Sequence, residues 1–455
     1  MQYSTFAAID IGSYDVILEI FEISKKQGIR SVDKICHRME LGKDTYTLGK
    51  IRPEMEEELC RVLADFVRIM EGYRVDAYRA MASSAISEAA NSLYVLGKIR
   101  QLTGLSVTVL SNSEQRFLGY KALAAMEDNF NKIIEKGTAI LDLDGGSFQI
   151  SLFDKDALVT TQNIRMGSLR IRERLAGIQS ETEHYEEMVE ELIWNEVSSF
   201  KKMYLKDRKI ENIMLIGDVF TDSVYQNIEE KTTKIISREN FNTWYEKIIR
   251  QSPMELAVKL GIPLENASLM YPSAVIYKCL IDMMGAEHIW IPGVHMTRGI
   301  AYEYAEQMKL LKGGHNFEND ILMAAKNIGK RYAVNRPHVQ NLEMTALAMF
   351  DATKKMHGMK ERERLLLQMA VMLHDVGKYI SFNNVADSSY NIIMSNEIIG
   401  LSHIEREMVA LIARYNTVTL PSYDELVMES SLSAEQYLTV SELTAIVRLA
   451  NALDR

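Results

Sequence analysis

Two short stretches of this chain nearly repeat each other, and the repeat restricts the folds open to it. The first reads Ala8-Ile9-Asp10-Ile11-Gly12-Ser13 and runs on into Val16-Ile17-Leu18-Glu19-Ile20-Phe21. The second reads Ile140-Leu141-Asp142-Leu143-Asp144-Gly145-Gly146-Ser147 and runs on into Ile150-Ser151-Leu152-Phe153. Each predicts a strand, a Gly/Ser turn carrying an aspartate, and a return strand, hence a β-hairpin with a polar tip. Glycine lets backbone N–H groups converge on an anion, and a nearby carboxylate can hold a divalent ion or a water. Two such hairpins, each opening one half of a duplicated α/β fold, would face each other across a cleft suited to a chain of phosphates.

A length of 455 residues is enough for about three domains. Residues 1–130 read as a first α/β lobe, with a helix around Glu54–Glu71 behind Pro53, strands at Ala77–Ala82 and Ser106–Leu110, and a helix through Tyr94–Ile99. Residues 131–308 read as a second lobe, with helices near Glu183–Tyr204 and Ala274–Met284 and a strand near Ile213–Ile216. Lys312-Gly313-Gly314-His315 is the best linker signal, with His315 most simply a linker residue, and residues 315–455 read as helix upon helix.

The formal charge of −10 argues against a nucleic-acid surface, while leaving room for a local basic cleft. Cys36, Cys60 and Cys279 are odd in number and widely spaced, which points to a reducing cytoplasm and not to a cysteine metal site. Strand-like sequence begins within the first few residues, where a signal peptide would lie, and no apolar run reaches transmembrane length. The expectation is a cytoplasmic protein with no membrane partner.

The ordered segments AIDIGS (8–13), MASSAISEAANS (81–92), LSNSEQRFLGYKA (110–122), ILDLDGGSFQISLF (140–153), RMGSLRIRERL (165–175) and TRGIAYEYA (297–305) resemble the exopolyphosphatase/guanosine pentaphosphatase (Ppx/GppA) family. A seventh, MLHDVGKYISF (372–382), is similar to the HD-like helical domain of its long members. The resemblance implies two actin-like, ribonuclease H-like α/β lobes around a cleft, followed by an all-α HD-like domain, and a homodimer. It also implies Mg²⁺- or Mn²⁺-assisted attack of water on the terminal phosphate of polyphosphate or of a guanosine penta- or tetraphosphate. Asp10 and Asp142 would then belong to the metal or water shell, and Gly12, Ser13, Asp144, Gly145, Gly146 and Ser147 would cradle phosphate.

Against that pattern several positions depart. The family's paired glutamates in SGxEEA become Glu114-Gln115, and the glutamate closing GGGSTE becomes Gln149. An amide matches a carboxylate in shape, yet it takes no proton at neutral pH and binds Mg²⁺ less well. The arginine of SALREA becomes Ser87, the GSNS turn becomes Gly12-Ser13-Tyr14-Asp15, and the GTSGT loop becomes Ile216-Gly217-Asp218-Val219-Phe220. Each change removes a base, a cation or a backbone approach, so impaired or altered activity is expected, with Glu114 as substitute base. Asp15, Asp144 and Asp218 leave room for a rebuilt metal site.

The His374-Asp375 pair after the apolar run Leu365–Leu373 resembles the HD metal-phosphohydrolase signature, with His338 as an upstream ligand. The late aspartate of that signature falls on Asn451, with Asp454 one helical turn on, so structural packing is the leading expectation for this set. Arg165, Arg170, Arg172 and Arg174 could line a polyanion path, and the charged runs Glu181–Glu191 and Lys354–Arg364 read as solvated helix faces. Three readings stay open: a phosphoanhydride hydrolase, a catalytically idle binding or regulatory protein, and residual metal chemistry in the helical domain.

Overall fold

The computed structural model describes residues 3–126, 130–155, 157–176, 185–227, 234–311 and 315–454. Lys312 and the linker glycines at 313–314, and the start of the charged run at 181–184, lie outside the described residues. The chain divides into two compact units, one running to His315 without Leu158–Thr161, and one from Asn316 onward that counts those four residues as its own.

Eleven strands among the described residues form two sheets: β1 (Ser4–Ile11), β2 (Asp15–Ser24), β3 (Gly28–Arg38), β4 (Ala77–Ala82), β5 (Val107–Val109), β6 (Thr138–Leu143), β7 (Phe148–Asp154), β8 (Ala157–Ile164), β9 (Asn212–Ile216), β10 (Ile235–Ser237) and β11 (His288–Trp290). The first sheet runs β3-β2-β1-β4-β5, antiparallel across β1–β3 and parallel from β1 to β5. The second runs β10-β11-β9-β6-β7-β8, with β6–β7 antiparallel and β6, β9 and β11 parallel. Read outward from β6, it repeats the first sheet: a hairpin on one side, parallel crossovers on the other.

The duplication extends to single residues. Asp10 pairs with Ile17 across the first hairpin, and Asp142 pairs with Gln149 across the second. The same bond closes both turns, Gly12 N–H to the Asp15 carbonyl at 2.9 Å and Asp144 N–H to the Ser147 carbonyl at 2.9 Å. Asp10 and Asp142 are therefore equivalent positions, and Gly12 corresponds to Asp144.

Strand β1 reads as an unbroken apolar run because both its faces are covered. Ala7, Ile9 and Ile11 point into a core with Leu59, Leu63 and Phe66 of the helix Pro53–Tyr73 and Val95 and Ile99 of the helix Ser92–Thr103. Phe6 and Ala8 point the other way, onto Leu118 of the helix Asn112–Met126 and Ile300 and Ala301 of the helix Met296–Gln307. Those two helices approach closely at Gly299, where a Cβ would lie 2.1 Å from the Leu118 carbonyl oxygen. Asp10 shares the parity of Phe6 and Ala8 and ends the strand at its carboxyl edge, where open α/β sheets bind ligands.

Two expectations need correction. The helix expected at Ala274–Met284 begins at Leu264, ten residues earlier, with Pro272 inside it. Burial of Ala267, Leu269 and Met270 outweighs the proline's cost to the helix. His315 is no idle linker residue: its ring joins the Tyr120 hydroxyl at 2.8 Å and Asn131 Oδ1 at 2.6 Å, and it packs edge-on to Phe130.

The second unit is helical, with long helices at Phe317–Arg331, Arg336–His357, Glu361–Leu373, Val385–Ser395, His403–Arg414 and Ala434–Leu453. Ser402 and Ser433 open the last two with capping boxes. Among the described residues, no helix is long and apolar enough to cross a membrane.

Candidate active-site cleft

The tips of the two hairpins meet. A Cβ on Gly145 would lie 3.3 Å from Ser13 Cβ, and the Ser13 hydroxyl sits 2.7 Å from the Tyr46 hydroxyl. Beside them opens a cavity of about 420 Å³, and Asp10, Gly12, Ser13, Gln115, Asp142, Asp144 and Gly145 from the sequence-predicted set line it. Glu114, Gly146, Ser147 and Gln149 do not. Glu114 turns its carboxylate back onto Ser111, accepting from the backbone N–H at 2.9 Å and the hydroxyl at 2.7 Å, which is a helix-capping role. A Cβ on Gly146 would lie 2.2 Å from the Tyr46 hydroxyl oxygen, so that glycine serves close packing. Ser147 and Gln149 are buried in the second hairpin.

Gln115 donates from Nε2 to Asp144 Oδ2 at 3.1 Å, and Asp144 Oδ1 accepts from Gly145 N–H. One residue further on, Arg116 donates to Asp142 Oδ1 at 2.8 Å and to the Ser147 hydroxyl at 3.1 Å. Gly217, the one glycine left in its loop, has φ +104°, and a Cβ there would lie 2.6 Å from Asp142 Oδ1. Only glycine lets that loop press against the carboxylate.

Six aspartates line the cavity, Asp10, Asp15, Asp142, Asp144, Asp218 and Asp222, against Lys34, Arg38 and Arg116. Burial holds the Asp10 carboxyl well above the usual range, and the charges of Asp15 and Asp144 add to that. Burial likewise raises Asp15, raises Asp142 despite Arg116, and pushes Asp218 up to about 7. Asp10 Oδ1 and Asp218 Oδ2 are buried without a hydrogen-bond partner. An oxygen-rich, under-compensated set of this kind fits a hard divalent cation, since such ions take carboxylate oxygens and relieve the repulsion.

The profile of the Ppx/GppA phosphatase family matches residues 20–308. The chain belongs to the Ppx/GppA phosphatase family. The profile of Ppx/GppA phosphatase domain III matches residues 322–455. The chain is 19% identical over 448 residues to a guanosine-5'-triphosphate,3'-diphosphate pyrophosphatase of Photobacterium profundum, covering 97% of this chain and 86% of that protein. The Aquifex aeolicus Ppx/GppA family member superposes with a TM-score of 0.56 at 17% identity, over 68% of this chain and 99% of that one. An exopolyphosphatase from Cytophaga hutchinsonii superposes with a TM-score of 0.59 at 17% identity, over 67% and 98%. These likenesses establish the actin-like α/β fold of the Ppx/GppA family for the two-sheet part.

Within the Ppx/GppA cleft, the sequence reading passed over Arg116, Lys34 and Arg38. Lys34, Cys36 and Arg38 stand at two-residue spacing on β3, opposite Glu19, Ile17 and Asp15, and that alternation is the signal that could have found them. The arginines of the segment 165–175 do something other than line the cavity. Arg170 pairs with Glu88 at 2.9 Å, and Arg172 grips both oxygens of Glu40 at 2.8 and 2.9 Å. Both belong to the helix Ser168–Leu175, which follows the second sheet's β8, while Glu40 and Glu88 belong to the first half. Tyr14 adds a hydrogen bond from its hydroxyl to Asn266 Oδ1.

In the helical unit, His338, His374 and Asp375 do come together, with one ligand-type atom from each inside a 4.8 Å sphere of separations. The late aspartate is Asp454, not the Asn451 position: Asp454 Oδ2 accepts from His338 Nδ1 at 2.5 Å, while Asn451 bonds Asn416 at 3.4 Å. Asn451, one helical turn earlier, lines the same cavity as Asp454 but is engaged by Asn416. Lys378 pairs with Asp375 Oδ2.

Proposed function

We propose that this chain is a metal-assisted phosphoanhydride hydrolase, acting on inorganic polyphosphate or a guanosine penta- or tetraphosphate, whose turnover is lowered by the loss of its base. What supports the lowered turnover is the bond from Gln115 to Asp144 together with the withdrawal of Glu114 onto Ser111. No glutamate of the helix Asn112–Met126 faces the cavity to take a proton from water. Asp10, Asp142 and Asp144 would hold Mg²⁺ or Mn²⁺, which when bound would offset the charge of the terminal phosphate. Backbone N–H groups of Gly12, Ser13 and Gly145 would cradle phosphate oxygens. Gln115 can orient a water through its amide oxygen but cannot accept its proton, so the proton must pass to a weaker-placed carboxylate such as Asp15.

The reading divides the chain into lobes at 1–130 and 131–308 and an HD-like domain at 315–455, in a cytoplasmic homodimer. Light scattering of the purified chain tests the dimer. Phosphate release from long-chain polyphosphate and guanosine pentaphosphate, with Mg²⁺ and Mn²⁺ titrated, tests the activity. Wild-type turnover should fall roughly a hundredfold below ordinary values of about 1–1000 per second, and Gln115→Glu should raise it about a hundredfold. Ordinary rates that vanish in Glu114→Gln would sink the lowered-turnover reading in favour of Glu114 as base. Tight binding of either substrate with no release in both forms would favour the binding or regulatory reading, which the same Gln115–Asp144 bond also suits.

A further inference from the structure

Four side chains in the helical unit converge with their protons already assigned. His374 Nδ1 lies 2.7 Å from the Val371 carbonyl oxygen, which can only accept, so Nδ1 carries the proton and Nε2 is left with a lone pair. His338 Nδ1 is held in the same way by the Asp454 carboxylate at 2.5 Å, so in the neutral ring its Nε2 also carries a lone pair. Those two Nε2 atoms face each other at 3.3 Å, with Asp375 Oδ1 3.4 Å from His374 Nε2. Electron-pair donors at such separations call for a proton or a metal cation among them.

The spacing suits a metal. Two nitrogens each about 2.0–2.1 Å from an ion, at a tetrahedral angle, stand about 3.3–3.4 Å apart. The outer partners match as well: a metal-bound imidazole ordinarily donates its other N–H to a carboxylate or a carbonyl, as His338 and His374 do here. The turn is braced from beneath, because the Ser389 hydroxyl donates to the His374 carbonyl at 2.9 Å and accepts from Gly377 N–H at 2.9 Å. Lys378 engages Asp375 Oδ2 from a half-exposed position; that oxygen lies 4.0 Å from His338 Nε2, and Oδ1 is left toward His374. His338, Asp375 and Asp454 line an open cavity that Lys378 and Arg414 also line, so an ion there would turn its open positions toward cationic side chains.

We propose that His338, His374 and Asp375 bind one first-row divalent metal ion, with Asp454 as the positioning residue for His338 and an anionic oxygen ligand completing the shell. Two imidazoles with one carboxylate favour Zn²⁺, Fe²⁺ or Co²⁺ over Mg²⁺, which separates this site from the all-carboxylate cleft. The site does not depend on what the cleft hydrolyses.

The 455-residue chain, stripped with a chelator and titrated with Co²⁺, tests this through visible ligand-field bands and metal content per chain. About one Co²⁺ per chain should give a nitrogen-ligated spectrum that Zn²⁺ displaces, distinct from the weaker oxygen-ligated bands of Co²⁺ taken up by the carboxylates of the cleft. His338→Gln, at a partly exposed position that spares the buried His374, should abolish the bands. Asp454→Asn should weaken Co²⁺ binding about 10- to 100-fold. Asp10→Asn, in the cleft, should leave the bands unchanged, with circular dichroism confirming the fold of each variant. Identical Co²⁺ spectra and affinity in wild type and His338→Gln would overturn the proposal. So would the absence of nitrogen-ligated Co²⁺ in wild type, with the histidine pair instead sharing one proton.

Discussion

In a chelating buffer the protein should lose stability as pH rises from about 4 to 7, and Mn²⁺ should restore it most strongly at the alkaline end. The cause is the crowd of carboxylates in the cleft. Asp218 titrates at about 7 in the fold against 3.8 as the ordinary value, so between those limits the folded chain holds a proton that the unfolded chain has released. Stability then falls with rising pH, by roughly 1.4 kcal/mol per unit and about 4 kcal/mol across the window. Asp10, Asp15 and Asp142 are raised too and act in the same direction. Asp282, Asp351 and Glu405, held low by cationic partners, act in the opposite direction, but only below their ordinary values. His374, lowered by burial, opposes the trend only up to about its ordinary 6.5. Thermal melts of wild type and Asp218→Asn across this range, with and without Mn²⁺, isolate the cleft. A melting temperature equally pH-dependent in both proteins would show that Asp218 is not responsible.

Arg116→Met should destabilise the chain by about 3–5 kcal/mol at neutral pH, the usual cost of removing one partner from a buried ion pair. The Arg116 side chain is 3% exposed, and among the described residues it is the cation paired with Asp142 Oδ1, at 2.8 Å, while also reaching Ser147. The methionine fills similar volume, so the loss is chiefly electrostatic. Asp142→Asn in the same chain should recover much of the stability, because it removes the charge left without a counterion. Urea unfolding of the two single variants and the double variant measures this coupling. A cost below about 1 kcal/mol for Arg116→Met would mean that water or another cation replaces the guanidinium.

The hairpins were legible because strand, turn and return strand leave a local pattern that needs no distant partner. Asp10 and Asp142 could therefore be found as equivalent residues before any coordinates. Strand β3 is hard to read, since only the alternation through Lys34, Cys36 and Arg38 marks it and the polar residues Arg30, Ser31 and Asp33 interrupt that pattern before it. The helix Leu264–Met284 was shortened in the reading because Pro272 looks like a boundary when its buried surroundings are unknown. The arginines at 170 and 172 have the right charge for a phosphate path, yet their partners Glu88 and Glu40 lie more than eighty residues away in sequence. Asp454 was discounted for the same reason: one helical turn separates it from the expected position, and only the packed helix shows which side chain meets His338.

The pairing of Arg170 with Glu88 and of Arg172 with Glu40 makes the eight-residue helix Ser168–Leu175 a bolt across the two halves. Parting the halves at this point would withdraw both guanidinium groups together and bare Glu40, Glu88 and Arg170, while Arg172 keeps Glu173 on its own helix. Dissolved salt stabilises bared charges more than paired ones, so raised ionic strength should loosen this joint between the two halves.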